Sequence, residues 1–201
     1  MCHRFQPLLS SELREALEEQ RATGRARIPA RPEDMEVPDA YPGKEVPLFV
    51  ANASGALEVA TLTWGFTTNV GGSFKPVFNT RIETALSHAQ KGYGLWAKPI
   101  TRGRCLVPVR GFYESYTKSP DPHHRPDIRF RLPGFRVFLL AGVQEEGRFS
   151  VITTVPNPDV ATYHTRMPLV LGPGESRVWL GPHFASLADR SGLRLEAVPQ
   201  T

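Results

Sequence analysis

The sequence predicts an α+β fold with mainly antiparallel β-sheet, and three observations lead to that class. Short runs rich in β-branched and aromatic residues recur along the chain, whereas segments with helical periodicity are few. The 19 prolines keep those helices short. Strand and helix patterns do not alternate regularly, so a parallel βαβ sheet is not expected. With 201 residues and no internal repeat or linker, residues 1–201 are expected to form a single domain.

The first predicted element is a helix over residues 10–20. Leu13, Ala16 and Leu17 share one face of this helix, and one of the two serines at its start is expected to be the N-cap. Residues 21–43 carry many Arg, Pro and Gly, so we expect them to form an irregular loop over the surface.

Most of the remaining elements are predicted to be short strands. They are expected over 46–50, 57–65, 104–107, 128–132, 137–143, 149–154, 169–171 and 193–198. Residues 137–154 are predicted to form a hairpin that turns at 144–147. Further short helices are expected over 81–90, 175–180 and 184–190.

Charge and composition narrow the class of protein without identifying it. The net charge is +4, and 19 of the 24 basic residues are arginine, whose planar guanidinium suits phosphate. An arginine-rich composition also follows from a GC-rich genome, so nucleic acid binding remains one of two explanations. No apolar run approaches 18 residues, and no secretory segment is recognisable, so we expect a cytoplasmic protein. Two cysteines make neither a disulfide framework nor a zinc site.

The position of Cys2 is unusual, because removal of Met1 would leave an N-terminal cysteine. Its α-amine and thiol would titrate at about 7.7–8.0 and about 8.5, so both would be partly nucleophilic in a cell. Such a 1,2-aminothiol condenses with an aldehyde to an imine, which the thiol closes to a five-membered thiazolidine. The alternative interpretation is that Cys2 is only an early residue of a frayed terminus.

Asn79 and Arg81 stand just before a predicted helix, downstream of Trp64 and a Gly-rich segment. An Asn in this place is ordinarily an N-cap. Alternatively, its amide and the Arg81 guanidinium meet an anionic ligand at the helix N-terminus, where the helix dipole favours negative charge.

Two further segments combine titratable side chains with unusual neighbours. Glu114 lies among the aromatic residues of 112–116, which could raise its pKa as general acid–base work requires, unless it is an ordinary exposed strand residue. His164 is followed by Arg166, an arrangement that suits an acid–base residue beside a phosphate clamp. A lone His is also commonly structural.

In this order, four motifs resemble the SOS response-associated peptidase (SRAP) family, the abasic-site processing proteins of bacteria and eukaryotes. The resemblance runs from Met1 to about Leu171. The motifs are Met-Cys-His-Arg at 1–4, Asn-Thr-Arg-Ile-Glu-Thr at 79–84, Gly-Phe-Tyr-Glu-Ser at 111–115 and His-Thr-Arg-Met-Pro at 164–168.

The resemblance implies a compact fold with a barrel-like centre, short peripheral helices and a positively charged groove for single-stranded DNA. It implies that Cys2 is the nucleophile and that its catalytic partners are Asn79, Glu114 and His164. The implied DNA-binding residues are Arg4, Trp64, Arg81, Thr153 and Arg166. No cofactor is implied, and no metal is expected, because the spacing of Cys and His fits no zinc pattern.

The function implied by the resemblance is the formation of a covalent DNA–protein crosslink at abasic sites in single-stranded DNA. Cys2 would form a thiazolidine after loss of Met1, either by self-cleavage or through a host aminopeptidase, and so shield the lesion. A monomer in the bacterial cytosol, associated with the nucleoid when it acts, is expected. Two alternatives remain: a cysteine peptidase acting on itself or in trans through Cys2 and His164, and a non-catalytic single-strand binding protein.

The chain departs from the family pattern in several places. His3 stands where the family has Gly, Ser115 replaces an aromatic residue, and 40–43 differ from the usual Asn-x-Ala-Pro. The Trp-Pro-rich loop of the family is replaced by 67–73, which we expect to be a loop without aromatic residues. Loss of stacking side chains is expected to alter DNA affinity or strand preference.

Overall fold

The computed structural model describes residues 2–24, 37–70, 73–121, 123 and 125–199. The helices are α1 (Ser10–Thr23), α2 (Ile82–Lys91), α3 (Ala97–Arg102), α4 (Pro158–Ala161), α5 (Glu175–Leu180) and a 3₁₀ helix (Phe184–Ala188). The strands are β1 (Arg4–Pro7), β2 (Glu45–Ala51), β3 (Leu57–Trp64), β4 (Phe66–Val70), β5 (Ser73–Val77), β6 (Asn79–Arg81), β7 (Arg104–Ser115), β8 (Asp127–Arg131), β9 (Phe138–Glu145), β10 (Arg148–Thr154), β11 (Met167–Pro168), β12 (Val170–Leu171) and β13 (Glu196–Pro199).

Five strands close into a barrel, which confirms the predicted α+β class with a barrel-like centre. Around the ring, β2 pairs with β3, β3 with β10, β10 with β9, β9 with β7, and β7 with β2. Four of these pairings are antiparallel, and only the one between β3 and β10 is parallel. Closure leaves these strands without an open edge between them.

The long strand β7 joins the barrel to a second group of strands. Its first half pairs with β2 and β9, and its second half with β1 and β8. The sequence predicted only residues 104–107 because Pro108 and Gly111 normally interrupt strands. At Gly111 the reason is a close approach: an added Cβ would lie 2.8 Å from the Arg129 side chain and 3.2 Å from the Phe130 carbonyl.

Helix α1 is longer than predicted, since it continues to Thr23. Its buried face includes Leu13, Ala16 and Leu17, as the periodicity predicted. The N-cap is Leu9 and not a serine, and its backbone N–H donates to the Glu12 carboxylate at 2.8 Å. Most of the loop predicted over 21–43 lies outside the described residues.

The predicted hairpin over 137–154 is confirmed. Strands β9 and β10 pair antiparallel and are joined by Glu146 and Gly147, whose φ angles are 51° and 75°. Two consecutive residues with positive φ are typical of the type I′ turn, which matches the right-handed twist of the strands it connects.

Several short elements escaped prediction, because two to six residues are too few for a periodic pattern. Residues 67–73 were expected to be a loop but contribute to the β4–β5 hairpin, whose turn at 71–72 lies outside the described residues. The strand predicted over 169–171 is β12, which begins at Val170, and β11 before it was not predicted. The last predicted helix is a 3₁₀ helix that ends at Ala188, and the last strand begins at Glu196. In the described ranges, no helix is both long and apolar enough to cross a membrane.

Candidate active site

The four residues predicted to be catalytic form one buried cluster. The Asn79 side-chain amide donates to the Cys2 carbonyl at 2.8 Å. Nδ1 of His164 lies 3.6 Å from Oε2 of Glu114, and the Glu114 charge acts on the Cys2 thiol. All four side chains are buried. Residues separated by up to 162 positions in the sequence are therefore linked by short contacts.

Strand pairing explains why Cys2 and Glu114 meet. In the antiparallel pair of β1 and β7, Arg4 lies opposite Tyr113. Glu114 follows Tyr113, and Cys2 shortly precedes Arg4, so both lie at the same end of this pair. The Cys2 thiol is 3.6 Å from the Arg4 carbonyl, within the range of a weak S–H hydrogen bond.

Asn79 is held by a strand and not by a helix cap. It lies in β6, parallel to β10 and opposite Val151, whereas the N-cap position of α2 is occupied by Arg81. The N-cap interpretation of Asn79 is therefore wrong. Its amide oxygen is buried and accepts no hydrogen bond from the described part of the chain.

Glu114 is 0% exposed, so the interpretation as an exposed strand residue is wrong. Burial raises the pKa of its carboxyl to about 7, and the negative charge of Asp127 acts in the same direction. A carboxyl with this pKa can both donate and accept a proton at neutral pH. The raised pKa suggested by the aromatic neighbours is thus found, although burial is its main cause.

Both thiols are kept protonated by their surroundings. Burial and then the charge of Glu114 raise the pKa of Cys2 well above its ordinary value. Burial alone raises the pKa of Cys105, whose side chain lies in the barrel core. Neither cysteine has the lowered pKa that marks a thiolate nucleophile.

His164 is fixed by the backbone around it. Its backbone N–H donates to the Val160 carbonyl at 2.9 Å. Nδ1 of its ring lies 2.9 Å from the carbonyl oxygen of Arg166 and 3.1 Å from the backbone nitrogen of Arg166. One ring nitrogen cannot serve both groups at once, so the tautomer selects between them. Burial lowers the pKa of His164, which favours the neutral ring at pH 7.

Asn157 organises the loop that carries His164, and sequence analysis missed it. Its side-chain oxygen accepts from the Val160 N–H at 2.9 Å, and its amide donates to the Leu193 carbonyl at 2.6 Å. The signal was present in the sequence as Asn-Pro-Asp, an N-cap followed by proline at the first helical position.

Comparison with known proteins identifies the family. The family model described as SOS response associated peptidase (SRAP) matches residues 1–199. The chain belongs to the SRAP family. The abasic site processing proteins YoqW and YobE of Bacillus subtilis (strain 168) are 34% and 30% identical to it over 94 and 115 residues. These matches cover 42% and 53% of this chain and 41% and 49% of the relatives, so the chain spans under half of their length.

Solved structures share the SRAP fold of this chain. Two proteins from Bordetella bronchiseptica, one of them phage-related, superpose with TM-scores of 0.69 and 0.68 at 23% and 22% sequence identity. The first comparison covers 99% of this chain and 94% of the other, and the second covers 100% of both. The likeness supports the same compact α+β architecture.

In this SRAP protein, two of the arginines predicted to contact DNA are held by carboxylates. The Arg4 guanidinium lies 3.1 Å from Asp39, 3.2 Å from Asp127 and 3.7 Å from the centre of the Tyr113 ring. Arg166 makes a bidentate pair with Glu83, at 2.8 and 3.0 Å, and donates to the Thr153 carbonyl at 2.9 Å.

The other three residues predicted to bind DNA lie in contrasting surroundings. Arg81 is exposed, and its guanidinium makes no ion pair within the part of the chain that the structure describes. Thr153 is buried, and its hydroxyl donates to the Thr80 carbonyl at 3.4 Å. Trp64 is 0% exposed and donates to the Phe78 carbonyl at 2.8 Å, so it has no surface on which a base could stack, and we assign it to the core.

Two departures from the SRAP pattern converge on one carboxylate. Asp127 accepts a hydrogen bond from the Ser115 hydroxyl at 3.1 Å, and Nε2 of His3 lies 3.6 Å from its other oxygen, which also faces Arg4. Asp127 had not been singled out in the sequence, because no local pattern marks it. No group of three or more His, Cys, Asp or Glu side chains in the described ranges is arranged to hold a metal ion.

Proposed function

We propose that this SRAP protein binds abasic sites in single-stranded DNA and forms a covalent crosslink with them through Cys2, after loss of Met1. The names of the curated relatives support DNA lesions as its substrate class. We further propose that residues 1–201 act as one domain and as a monomer in the bacterial cytosol. The observation that carries the proposal is the fully buried Glu114, with a pKa of about 7, beside Cys2 and His164.

The proposed chemistry needs an amine, a thiol and a proton shuttle. The Cys2 amine attacks C1′ of the ring-opened abasic sugar, and loss of water gives an imine. The thiol sulfur then adds to the same carbon, and its proton ends on the nitrogen, which closes the thiazolidine without any oxidant or reductant. Loss of Met1 is required because an acylated amine cannot form an imine.

Glu114 is placed to move the protons of this sequence. As the acid it can protonate the departing hydroxyl, and as the carboxylate it can take the proton of the Cys2 thiol. A pKa of about 7 keeps both forms populated near neutrality. A positioned acid–base group is typically worth about 10²–10⁴-fold in rate.

Asn79 and His164 would orient the sugar and open its ring. The amide oxygen of Asn79, which accepts no hydrogen bond from the described residues, can accept one from the amine or from a sugar hydroxyl. The neutral ring of His164 can take the proton of the C1′ hydroxyl as the sugar opens, since burial lowers its pKa.

The protonation of Cys2 favours this chemistry over peptide hydrolysis in trans. A cysteine peptidase depends on a thiolate with a lowered pKa. Here burial and Glu114 both raise the pKa of Cys2, so the thiolate is disfavoured. A thiol that reacts second, with an imine already formed on the same residue, does not need to be a free thiolate.

The test is a denaturing gel of Met1-free protein mixed with abasic single-stranded DNA. We expect a heat-stable adduct for the wild type and for Cys105→Ala, whose side chain lies in the core. Cys2→Ala should retain an amine that gives only an imine, trapped by borohydride. A heat-stable adduct from Cys2→Ala without reductant would exclude the thiazolidine. Equal binding of intact and abasic strands without an adduct would favour a non-catalytic binding protein, and turnover of peptides would favour the peptidase.

A further inference from the structure

A segment outside the candidate active site carries an excess of positive charge. Residues 84–113 contain five Lys or Arg and no Asp or Glu. Because the whole chain has a net charge of +4, the remaining residues together are slightly acidic. Positive charge is therefore concentrated between the C-terminal end of α2, at Lys91, and Arg110 in β7.

Only part of this charge is available to a ligand. Arg104 is engaged by backbone carbonyls at the ends of α3 and α5, and Arg110 pairs with Glu12. Lys98 is exposed and pairs with Glu145. Lys91 and Arg102 are exposed and form no ion pair within the described ranges, so their charges face solvent.

An exposed aromatic side chain lies between these two cations in the sequence. Tyr93 is 70% exposed, in the loop from α2 to α3, and borders a shallow depression of about 380 Å³ that is also lined by Lys98 and Arg102. An exposed aromatic ring beside cations suits a nucleic acid, which offers a base to stack and phosphates to neutralise.

The loop that carries Tyr93 is fixed in its conformation. Gly94 has a φ of +106°, and a Cβ at this position would lie 2.7 Å from the His88 ring. The Trp96 N–H donates to Nδ1 of His88 at 3.3 Å, and the Ala97 N–H donates to the Gly94 carbonyl at 3.1 Å. A ring on a fixed loop loses little conformational entropy when a base stacks on it.

Helix α2 connects this surface to the candidate active site. The helix begins after Arg81, beside the pair of Glu83 and Arg166, and ends at Lys91. Its 10 residues span about 15 Å, at a rise of about 1.5 Å per residue. A stacked strand advances about 3.4 Å per nucleotide, so this length corresponds to about four nucleotides.

We propose that the basic hairpin, residues 82–102, is a second contact for single-stranded DNA, with a base stacked on Tyr93 and phosphates on Lys91 and Arg102. This inference deepens the proposed function, because it assumes that DNA occupies the active site. It does not depend on the crosslinking chemistry. The second contact is separated from Arg81 by the length of α2, so it acts only on strands long enough to span that helix.

The test compares strands of two lengths by fluorescence anisotropy. Intact oligonucleotides of about 3 and about 20 nucleotides are, respectively, too short and long enough to span the length of α2. We expect Tyr93→Ala to weaken binding of the longer strand about fivefold or more and to leave the shorter one unchanged. Phe135→Ala, at an exposed aromatic ring between β8 and β9, is the matched control and should change neither. Both residues are exposed, so thermal unfolding of the two variants should match the wild type.

A salt titration tests the cations of the basic hairpin. Arg102→Ala should flatten the slope of log K against log salt by about 0.7 for the longer strand, whereas Arg14→Ala on α1 should not. Equal effects of Tyr93→Ala and Phe135→Ala, or equal losses on both lengths, would overturn the inference. A protein that prefers the longer strand through Tyr93 but yields no adduct would refute the crosslinking proposal alone.

Discussion

The two walls of the candidate active site are built in different ways. One wall, the strand wall, is continuous: Glu114 lies on the 12-residue β7, with β1 paired on one side and β8 on the other. The opposite wall is assembled from short pieces. Asn79 lies on the three-residue β6, and His164 lies between the four-residue α4 and the two-residue β11.

The difference lies in what holds each functional group. Glu114 pairs with Ile128 of β8, and the neighbouring Tyr113 pairs with Arg4 of β1, so a substitution at Glu114 changes the chemistry of a carboxyl without changing the strand that supports it. The short strands pair with β10 over only two or three residues, and the short pieces rely in addition on single side-chain hydrogen bonds, such as Thr80 to Ser150 at 2.8 Å and those of Asn157. Changes at Glu114 on the strand wall should therefore slow the reaction without lowering stability, whereas changes on the opposite wall should lower both rate and stability.

The largest expected effect is on rate, at the strand wall. Glu114→Gln keeps the shape of the side chain but cannot transfer a proton, so we expect crosslinking and its reversal to slow by about 10²–10⁴-fold. Time courses on a denaturing gel give the rate, and anisotropy with an intact strand gives the affinity, which should not change. Glu12→Gln, at a buried carboxylate paired with Arg110, is the matched control. Loss of DNA binding in parallel with the rate would make Glu114 structural.

The same carboxyl should also make folding stability depend on pH. Its pKa rises from 4.5 to about 7 on folding, so its stabilising contribution is complete below 4.5 and is lost as pH rises through about 7. The wild type should lose about 3 kcal/mol of unfolding free energy across this interval relative to Glu114→Gln. Urea denaturation of both proteins at several pH values measures the difference. Parallel curves would mean that the pKa of Glu114 is not raised.

On the opposite wall, one substitution should change stability and rate together. Asn157→Ala removes the cap of α4 and leaves the Leu193 carbonyl without its donor, so we expect a loss of about 1–3 kcal/mol. Crosslinking should slow because His164 is displaced, while binding of an intact strand should persist. Asn52→Ala, at an amide that orders an exposed turn, is the control and should leave the rate unchanged. An unchanged rate in Asn157→Ala would separate the His164 loop from the reaction.

The sequence singled out four residues that the structure brings together, but it predicted the elements that support them less well. Cys2, Asn79, Glu114 and His164 were singled out because each belongs to a compact motif with a chemical reason for its residue types, and their catalytic roles stay a prediction. The strand that carries Glu114 was predicted to end at residue 107, because Pro108 and Gly111 normally interrupt strands. In the structure, β7 continues through both residues because its neighbouring strands pair with it.

The partners of the arginines could not be read from the sequence at all. Arg4 meets Asp127 and Arg166 meets Glu83 across distances of more than 80 residues, and no local pattern carries that information. Trp64 was misplaced for a related reason, because an aromatic residue before a glycine turn looks the same whether it faces a ligand or the core.

The smallest expected effect separates the two kinds of arginine at the site. Arg81→Ala removes an exposed cation that makes no ion pair with the residues the structure describes, so it should flatten the salt slope for a short intact strand by about 0.7 and leave stability within about 0.5 kcal/mol. Arg166→Ala, by contrast, leaves Glu83 without its ion-pair partner and removes the hydrogen bond to the Thr153 carbonyl, so it should destabilise the fold by about 1–3 kcal/mol. Urea denaturation and salt titrations of both variants test the contrast. Arg166→Ala could instead keep full stability and lose only part of the salt dependence of DNA binding. Arg166 would then be a phosphate-binding residue, and hydrogen bonds other than those of Arg166 would stabilise the opposite wall.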